Sequence, residues 1–269
     1  MKVTKSYFVA FLSLFALSFF VRAAFAEEPI DTDGPDFVDS SEAIGKGRFQ
    51  YEADVVVQRD HRSSMAIDTR STPILLKYGI TDAIDMRVQT DGYTRIANDD
   101  DHSGLSPQQS GFNDIVLGFK WHSQDAYAWT LRPATSWIFD IDTPSGSTTF
   151  KGRGISPSLR SVMTWELPLN LSLGIMPGIK SSVTSDGRRF VSGIFGVVLD
   201  RKITEKFRTF IEISLPQIAR SANGGTSAYW DVGGAYLLTV DSQLGFRVGL
   251  AANQNTPSQY VLLELAQRF

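Results

Sequence analysis

Apolar and polar residues alternate along most of the chain between residues 47 and 269. Residues 112–123 give a clear example: one face of the predicted strand carries Ile115, Leu117, Phe119 and Trp121, and the other carries Asp114, Gly118, Lys120 and His122. Residues 242–252 alternate in the same way, with Leu244 and Phe246 on the apolar face and Arg247 on the polar one. A period of two predicts β-strands with one apolar and one wetted face.

Twelve segments follow this period. They cover residues 47–59, 70–80, 83–95, 112–123, 126–140, 155–166, 169–181, 189–200, 206–215, 228–238, 242–252 and 259–269. Each is close to the length of about ten residues that a tilted strand needs to cross a membrane. Short connections (80–83, 123–125, 166–168, 239–241) alternate with longer polar ones (96–111, 141–154, 182–188, 216–227). We therefore predict an all-β chain, whose residues 47–269 form a single antiparallel transmembrane β-barrel of about 12 strands.

The last predicted strand supports this architecture. Its outward face carries four apolar residues, namely Val261, Leu263, Leu265 and Phe269. A soluble β-sandwich would also alternate, but it would bury its apolar face, and the aromatic terminus, the strand length and the loop asymmetry favour a membrane barrel. The resemblance of this terminus to outer-membrane proteins implies that these four residues are a membrane-insertion signal for the barrel-insertion machinery. Outer-membrane lipid is then the expected surrounding of the apolar face.

The first residues predict export. Lys2 and Lys5 precede an apolar run over residues 7–21, and small residues flank Phe25 in Ala24-Phe25-Ala26. This is the pattern of a signal peptide, so we expect cleavage after Ala26 and a location in the bacterial outer membrane. The alternative, a membrane-anchoring helix, needs about 20 apolar residues. Residues 27–46, acidic and rich in Pro and Gly, are predicted to be a periplasmic lead-in or a segment tucked into the lumen.

Composition excludes several classes of function. The chain has 26 Lys and Arg, 29 Asp and Glu, and no cysteine, so it offers no thiolate metal site, and its acidic balance disfavours nucleic acid as a partner. Neither a phosphate-binding motif nor a paired-cysteine metal pattern is present, and we expect no cofactor and no metal. An outer-membrane lipid hydrolase needs a histidine beside a lipid-facing serine. None of His61, His102 and His122 is predicted to lie there, so we predict no enzyme.

Charged residues on the inward faces are the candidate site. The predicted lumen-facing residues are Asp54, Lys77, Arg87, Asp114, Lys120, Arg132, Arg160, Lys180, Arg208, Glu212, Asp231, Arg247 and Glu264. Two functions remain open on this basis. In a passive channel these charges set the field that a solute meets; in a structural or adhesion barrel they pair across strands and fill the lumen.

Two motifs carry a resemblance to a known family. They are the strand Gly111-Phe-Asn-Asp-Ile-Val-Leu-Gly-Phe-Lys120 and the segment Asp142-Thr-Pro-Ser-Gly146 that closes the next strand. With the leader and the twelve strands, they resemble the outer-membrane family of meta-pathway phenol degradation, over about residues 45–269. The resemblance implies a channel for passive uptake of small hydrophobic or aromatic compounds, with such a solute as partner, and it implies no catalytic residue.

Overall fold

The computed structural model describes residues 28–62, 65–100, 108–127 and 131–269. The predicted signal peptide and His102 lie outside these residues. The described strands are β1 (Phe49–Arg62), β2 (Met65–Ser71), β3 (Ile74–Gly79), β4 (Ile84–Thr90), β5 (Tyr93–Asp100), β6 (Gln108–Phe112), β7 (Ile115–Gln124), β8 (Ala134–Thr143), β9 (Ser156–Leu167), β10 (Leu171–Val183), β11 (Arg189–Thr204), β12 (Phe207–Ile218), β13 (Ser227–Thr239), β14 (Ser242–Ala251) and β15 (Gln259–Arg268). All their pairings are antiparallel.

Three of the twelve predicted strands are interrupted, which is why fifteen segments are found. β1 pairs with β3 along its first half and with β2 along its second half, so β2 and β3 act as one strand. The break falls at Thr72 and Pro73, where the proline has no N–H to donate to the sheet. β4 and β5 are separated at Asp91 and Gly92, and β6 and β7 at Asn113 and Asp114. When each of these three pairs of segments is counted as one interrupted strand, the fifteen segments make the twelve strands that the sequence predicts.

The sheet closes on itself between the first and last strands. β15 pairs with β1 from Gln50 opposite Arg268 to Arg59 opposite Gln259, and Phe49 and Phe269 exchange backbone hydrogen bonds of 3.2 and 2.8 Å. Closure satisfies backbone donors and acceptors that an open edge would leave without partners in lipid. The prediction of a single closed antiparallel barrel is confirmed.

The predicted faces are also confirmed in the regular strands. Ile115, Leu117 and Trp121 on β7 are 43–49% exposed on the outer surface, whereas Lys120 on the same strand is fully buried inside. Leu244, Phe246 and Val248 of β14 point outward in the same way, and Arg247 points inward. In the part of the chain that the structure describes, no helix is long and apolar enough to cross a membrane.

The fifth predicted strand is wrong in its first half. Residues 126–140 were expected to be one strand, but β8 begins at Ala134 and extends to Thr143. Before it, Tyr127 and Arg132 form a single isolated bridge, and Pro133 cannot donate a hydrogen bond to a neighbouring strand. β7 therefore ends at Gln124 and β8 begins only at Ala134, so these two strands lie further apart in the sequence than predicted.

Residues 30–44, which we call the internal segment, lie inside the barrel. Ile30 N donates to Val240 O at 2.7 Å, and Lys46 N, just after the segment, donates to Asp82 Oδ1 at 3.1 Å. Both contacts are with turns at the end of the barrel that carries the short connections, which we call the short-turn end. These residues are therefore not a periplasmic lead-in, and the alternative, a segment in the lumen, describes them.

Candidate functional site: the occluded lumen

Asp33 of the internal segment is the centre of a buried charge network. Its carboxylate forms ion pairs with Lys77 (3.2 Å), Arg87 and Lys120. All four side chains are at most 4% exposed. Burial raises the pKa of the Asp33 carboxyl, but Lys120, Lys77 and Arg87 together lower it further, so that this pKa lies well below its usual value. Three strands of the wall thus hold one ionised group of the internal segment.

A second carboxylate of the segment extends this network across the lumen. Asp39 forms ion pairs with Arg87 (3.3 Å) and with Arg160. Arg160 also pairs with Asp140 of the wall at 2.6 Å. Asp36, a third carboxylate of the internal segment, accepts a hydrogen bond of 3.0 Å from Arg208. Each of these pairs satisfies charges that would be costly to bury alone.

Carboxylates of the wall bind the backbone of the internal segment. Glu52 accepts from the N–H groups of Asp33 and Gly34, at 3.0 and 3.1 Å. Glu212 accepts from Phe37 N and Val38 N, both at 2.9 Å. A segment without regular secondary structure leaves its amides without partners, and these acidic side chains supply them.

One apolar contact anchors the middle of the segment. Val38 is 4% exposed and belongs to a buried cluster with Ile138, Val162, Met176, Val198 and Phe210. The barrel wall accommodates the chain here with glycine: a Cβ atom at Gly196 would lie 2.7 Å from Val38 Cγ2 and 3.0 Å from the Phe37 ring. The internal segment is therefore packed against the wall as well as charge-paired with it.

Two cavities meet the internal segment from opposite ends of the lumen. The cavity at the short-turn end has a volume of about 270 Å³ and is lined by Glu42, Glu166 and Asp200, among others. The other, which we call the loop-side cavity, has about 430 Å³ and is lined by Asp54, Arg247 and Glu264 among others. Asp36 and Asp39 line both cavities. The internal segment is therefore the partition between them.

Eleven of the predicted lumen-facing residues lie on inward positions of the strands. They are Asp54, Lys77, Arg87, Lys120, Arg160, Lys180, Arg208, Glu212, Asp231, Arg247 and Glu264. Arg132 is a correction: it is exposed between β7 and β8, because the strand that would have turned it inward starts later. Asp114 lies at the break between β6 and β7 and binds a loop, as described below. A role of these residues in selecting a solute stays a prediction.

Several residues of this site were missed by the sequence reasoning. The sequence predicts Asp33, Asp36 and Asp39 only as part of an acidic stretch that is either a periplasmic lead-in or a segment in the lumen, and it gives them no partners. In the structure they bind the basic residues of the wall. One signal could have indicated them: an acidic run precedes a barrel whose inward positions include Lys77 and Lys120. His122, by contrast, has both ring nitrogens engaged inside the barrel, with Ser41 O and the Asp125 carboxylate.

The four residues of the predicted insertion signal differ in exposure. Val261, Leu263 and Phe269 are exposed, and the Phe269 ring lies 6.2 Å from the rings of Phe49 and Tyr51. Leu265 is on the same side of β15 by alternation, but it is only 4% exposed. The outward aromatic terminus is thus in place, and its role in membrane insertion stays a prediction.

The sequence of the chain matches one family profile over residues 28–269, the family described as MetA-pathway of phenol degradation. The chain belongs to this family. The match includes the internal segment as well as the barrel. No curated protein matches the sequence.

Solved structures show the same fold at low sequence identity. The COG4313 outer membrane channel from Pseudomonas putida F1 has a TM-score of 0.67 and 13% identity, covering 86% of this chain and 98% of that one. The β domain of the Bordetella autotransporter BrkA has a TM-score of 0.52 and 13% identity, covering 82% of this chain and 98% of that one. The translocator domain of NalP from Neisseria meningitidis has a TM-score of 0.50 and 11% identity, covering 84% of this chain and 89% of that one. An apolar outer face together with these relatives supports a location in the outer membrane.

Asp114 connects the two motifs that carry the resemblance described in the sequence analysis. Its carboxylate accepts hydrogen bonds from Gly146 N at 2.7 Å and Gly152 N at 2.8 Å. A side chain at Gly146 would place its Cβ 2.8 Å from Phe112 O. The aspartate of the first motif therefore fastens the Pro-Ser-Gly loop of the second motif, residues 144–155, against the wall.

We expect Asp114→Asn to loosen this loop. An asparagine amide has one acceptor oxygen where the carboxylate has two, so at least one hydrogen bond to the loop backbone is lost. Trypsin should then cleave after Lys151 and Arg153 about tenfold faster, since a hydrogen bond to a charged group contributes on the order of 1.5 kcal/mol or more. Asp186→Asn, a matched change in the 184–188 loop, should leave this cleavage unaltered. Equal rates in Asp114→Asn and the parent would contradict this role.

Proposed function

We propose that this protein is an outer-membrane channel for passive uptake of small hydrophobic or aromatic compounds, and that the structure represents its closed state. Membership of the phenol-degradation family supports this function, and one relative of the same fold is named an outer membrane channel. The observation that carries the proposal is the pair of cavities separated by a single polypeptide segment. A path through the barrel then requires only that this segment moves.

The contacts of the internal segment fit a movable partition. Most of them are ion pairs and hydrogen bonds to wall side chains, and water can replace such contacts at modest net cost. The segment also joins β1 through Gly45 and Gly47, which have φ values of +90° and +77°. Glycine adopts such backbone angles without strain, so the connection allows the segment to change direction.

A second function has one observation in its favour. The lumen is filled, and its charges are paired across it, as expected of a structural barrel that uses its loops for contacts. The fold itself does not decide between the two, since autotransporter domains and a channel have similar barrels. A lipid hydrolase is not proposed, because His122 lies inside the barrel with both ring nitrogens engaged.

A reversible lock tests the channel. The chain contains no cysteine, and a Cβ atom at Gly174 would lie 4.0 Å from Val38 Cβ, which is within the range for a disulfide. The same Cβ would lie 2.7 Å from Val198 Cγ1, so the Val198 side chain has to shift to admit it. The double variant Val38→Cys, Gly174→Cys should therefore join the internal segment to β10 when oxidised. We expect uptake of 4-methylphenol into Gram-negative cells, and single-channel conductance in planar bilayers, to be lost on oxidation and restored by reduction.

Each single cysteine variant is the control, because it carries the same side chain without the possibility of an internal disulfide. Its uptake and conductance should not respond to the redox state. If the oxidised double variant takes up the solute as well as the reduced one, solute does not pass by movement of the internal segment. If wild type, reduced and oxidised forms all lack conductance and uptake, the structural barrel replaces the channel.

A further inference from the structure

The loop-side cavity contains a cationic side chain that the protein leaves partly unpaired. The Arg247 side chain is 12% exposed, and its Nη1 lies 3.5 Å from Glu212 Oε2. The Glu212 oxygens already accept from Phe37 N and Val38 N. Among the described residues no hydrogen-bond partner is found for Arg247 Nε or Nη1. Two buried guanidinium nitrogens of a residue that lines the cavity therefore keep N–H groups without a hydrogen-bond partner.

The same cavity presents an acceptor close to these donors. One carboxyl oxygen of Asp54 is buried, and no described group donates to it. Asp54 is opposite Glu264 on β15, and Leu262, the next inward residue of β15, is opposite Arg247 on β14. Successive inward positions are about 7 Å apart along a strand. The long Arg247 side chain and the Asp54 carboxyl can therefore both reach one small group.

Apolar side chains lie beside the two polar groups. Leu262 is opposite both Val56 and Arg247 in the register of the sheet, and Val56 packs against the buried cluster of Tyr229, Tyr260 and Leu262. The Arg247 guanidinium lies 5.2 Å from the centre of the Tyr260 ring. The cavity thus combines an apolar wall with one donor and one acceptor, and its volume of about 430 Å³ is within the range of small-molecule sites.

We propose that the loop-side cavity is a binding site for an uncharged, hydroxylated aromatic compound, an assignment that rests on the proposed channel. The hydroxyl oxygen accepts a hydrogen bond from Arg247, its proton is donated to Asp54, and the ring lies against Val56 and Leu262. One hydroxyl satisfies both groups, because it is at once a donor and an acceptor. A purely apolar solute would leave both unsatisfied, which costs free energy in a buried site.

The charges around the cavity disfavour ionic solutes. Seven carboxyl groups line it, Glu52, Asp54 and Glu264 among them, against the three guanidinium groups of Arg87, Arg160 and Arg247. Asp54 and Glu264 are directly opposite each other across β1 and β15. An anion bound at Arg247 would therefore lie beside three carboxyl groups. A cation bound at Asp54 would instead face the Arg247 guanidinium. A neutral hydroxyl avoids both repulsions.

Equilibrium binding of three matched solutes to the full-length protein in detergent tests the site. The solutes are 4-methylphenol, toluene and 4-methylbenzoate, and isothermal calorimetry gives Kd for each. At neutral pH 4-methylphenol is uncharged, since a phenolic hydroxyl titrates near about 10. We expect it to bind about tenfold more tightly than toluene, and 4-methylbenzoate to bind more weakly than 4-methylphenol.

Two variants localise the binding. Arg247→Met should raise Kd for 4-methylphenol about tenfold and leave Kd for toluene unchanged, so that the preference for the hydroxyl disappears. Asp54→Asn should lower Kd for 4-methylbenzoate, because it removes one negative charge from the cavity. Lys180→Met is the matched control, because it removes an inward cation that pairs with Asp142 outside the lining of this cavity. It should leave the Kd of all three solutes unchanged.

The outcomes separate this site from the channel. Equal binding of toluene and 4-methylphenol by the wild type overturns the site, whether or not the variants fold. Retention of the hydroxyl preference in folded Arg247→Met overturns it as well. Arg247-dependent binding in a protein whose wild-type, reduced and oxidised forms all lack uptake and conductance would retain the site and overturn the channel.

Discussion

Deletion of residues 30–44 should convert a poorly conducting barrel into an open pore. The internal segment separates the two cavities, and all its contacts with the wall are made by side chains or backbone groups outside the strand ladder. Its removal leaves the β1 and β15 pairing intact. Single-channel recordings in planar bilayers should show a many-fold larger conductance, and an unheated sample in detergent should still migrate on a gel as a folded barrel.

The same deletion should also change ion selectivity. It removes five carboxylates, four from aspartates and one from Glu42. The cations that face them remain on the wall, namely Lys77, Arg87, Lys120, Arg160 and Arg208. Reversal potentials should therefore move toward anion preference. A Gly-Ser segment of equal length in place of residues 30–44 is the control for chain volume, and it should give an intermediate, fluctuating conductance. Unchanged conductance in a folded deletion variant would contradict the closed-channel interpretation.

Asp33→Asn should release the internal segment without deleting it. The substitution removes the charge that three buried cations share, although Lys77 keeps Glu52 and Arg87 keeps Asp39 as partners. Breaking a buried ion pair by removing one partner costs about 3–5 kcal/mol. This free energy destabilises the binding of the internal segment to the wall and not the barrel itself, since the strands retain their hydrogen bonds. Amide hydrogen exchange in residues 30–44, followed by mass spectrometry, should accelerate more than about a hundredfold.

Asp31→Asn is the matched control for this substitution. Asp31 belongs to the same segment, but it is exposed and accepts a hydrogen bond of 2.7 Å from Ser40 Oγ. Because water already solvates its charge, loss of that charge should change the exchange rates little. If Asp31→Asn and Asp33→Asn accelerate exchange equally, the buried network around Asp33 is not what holds the segment.

The regular strands could be predicted because lipid imposes a strict pattern. The lipid-facing positions of β7 and β14 are apolar except at strand ends, and the inward positions can be polar, so a period of two persists along most of each strand. That pattern placed Lys120 and Arg247 inside correctly. It failed for Arg132, because alternation continues by chance before β8, whereas β8 begins only after Pro133, which has no N–H to donate to a neighbouring strand.

The internal segment could not be placed from its own residues. It has no period, and an acidic stretch with Pro and Gly is equally compatible with an exposed leader and with a chain that folds into a basic lumen. The decision depends on cations from distant strands, such as Lys77, Arg87 and Lys120, converging on one carboxylate. Such convergence is a property of the closed barrel, and a one-dimensional pattern does not contain it.

The internal segment enters and leaves the lumen through the same opening. Ile30 and Lys46 both contact turns at the short-turn end, so the segment can withdraw as a loop without crossing the barrel or breaking any strand pair. In outer-membrane barrels that end faces the periplasm. Withdrawal would then deliver an acidic loop to the periplasm each time the pore opens.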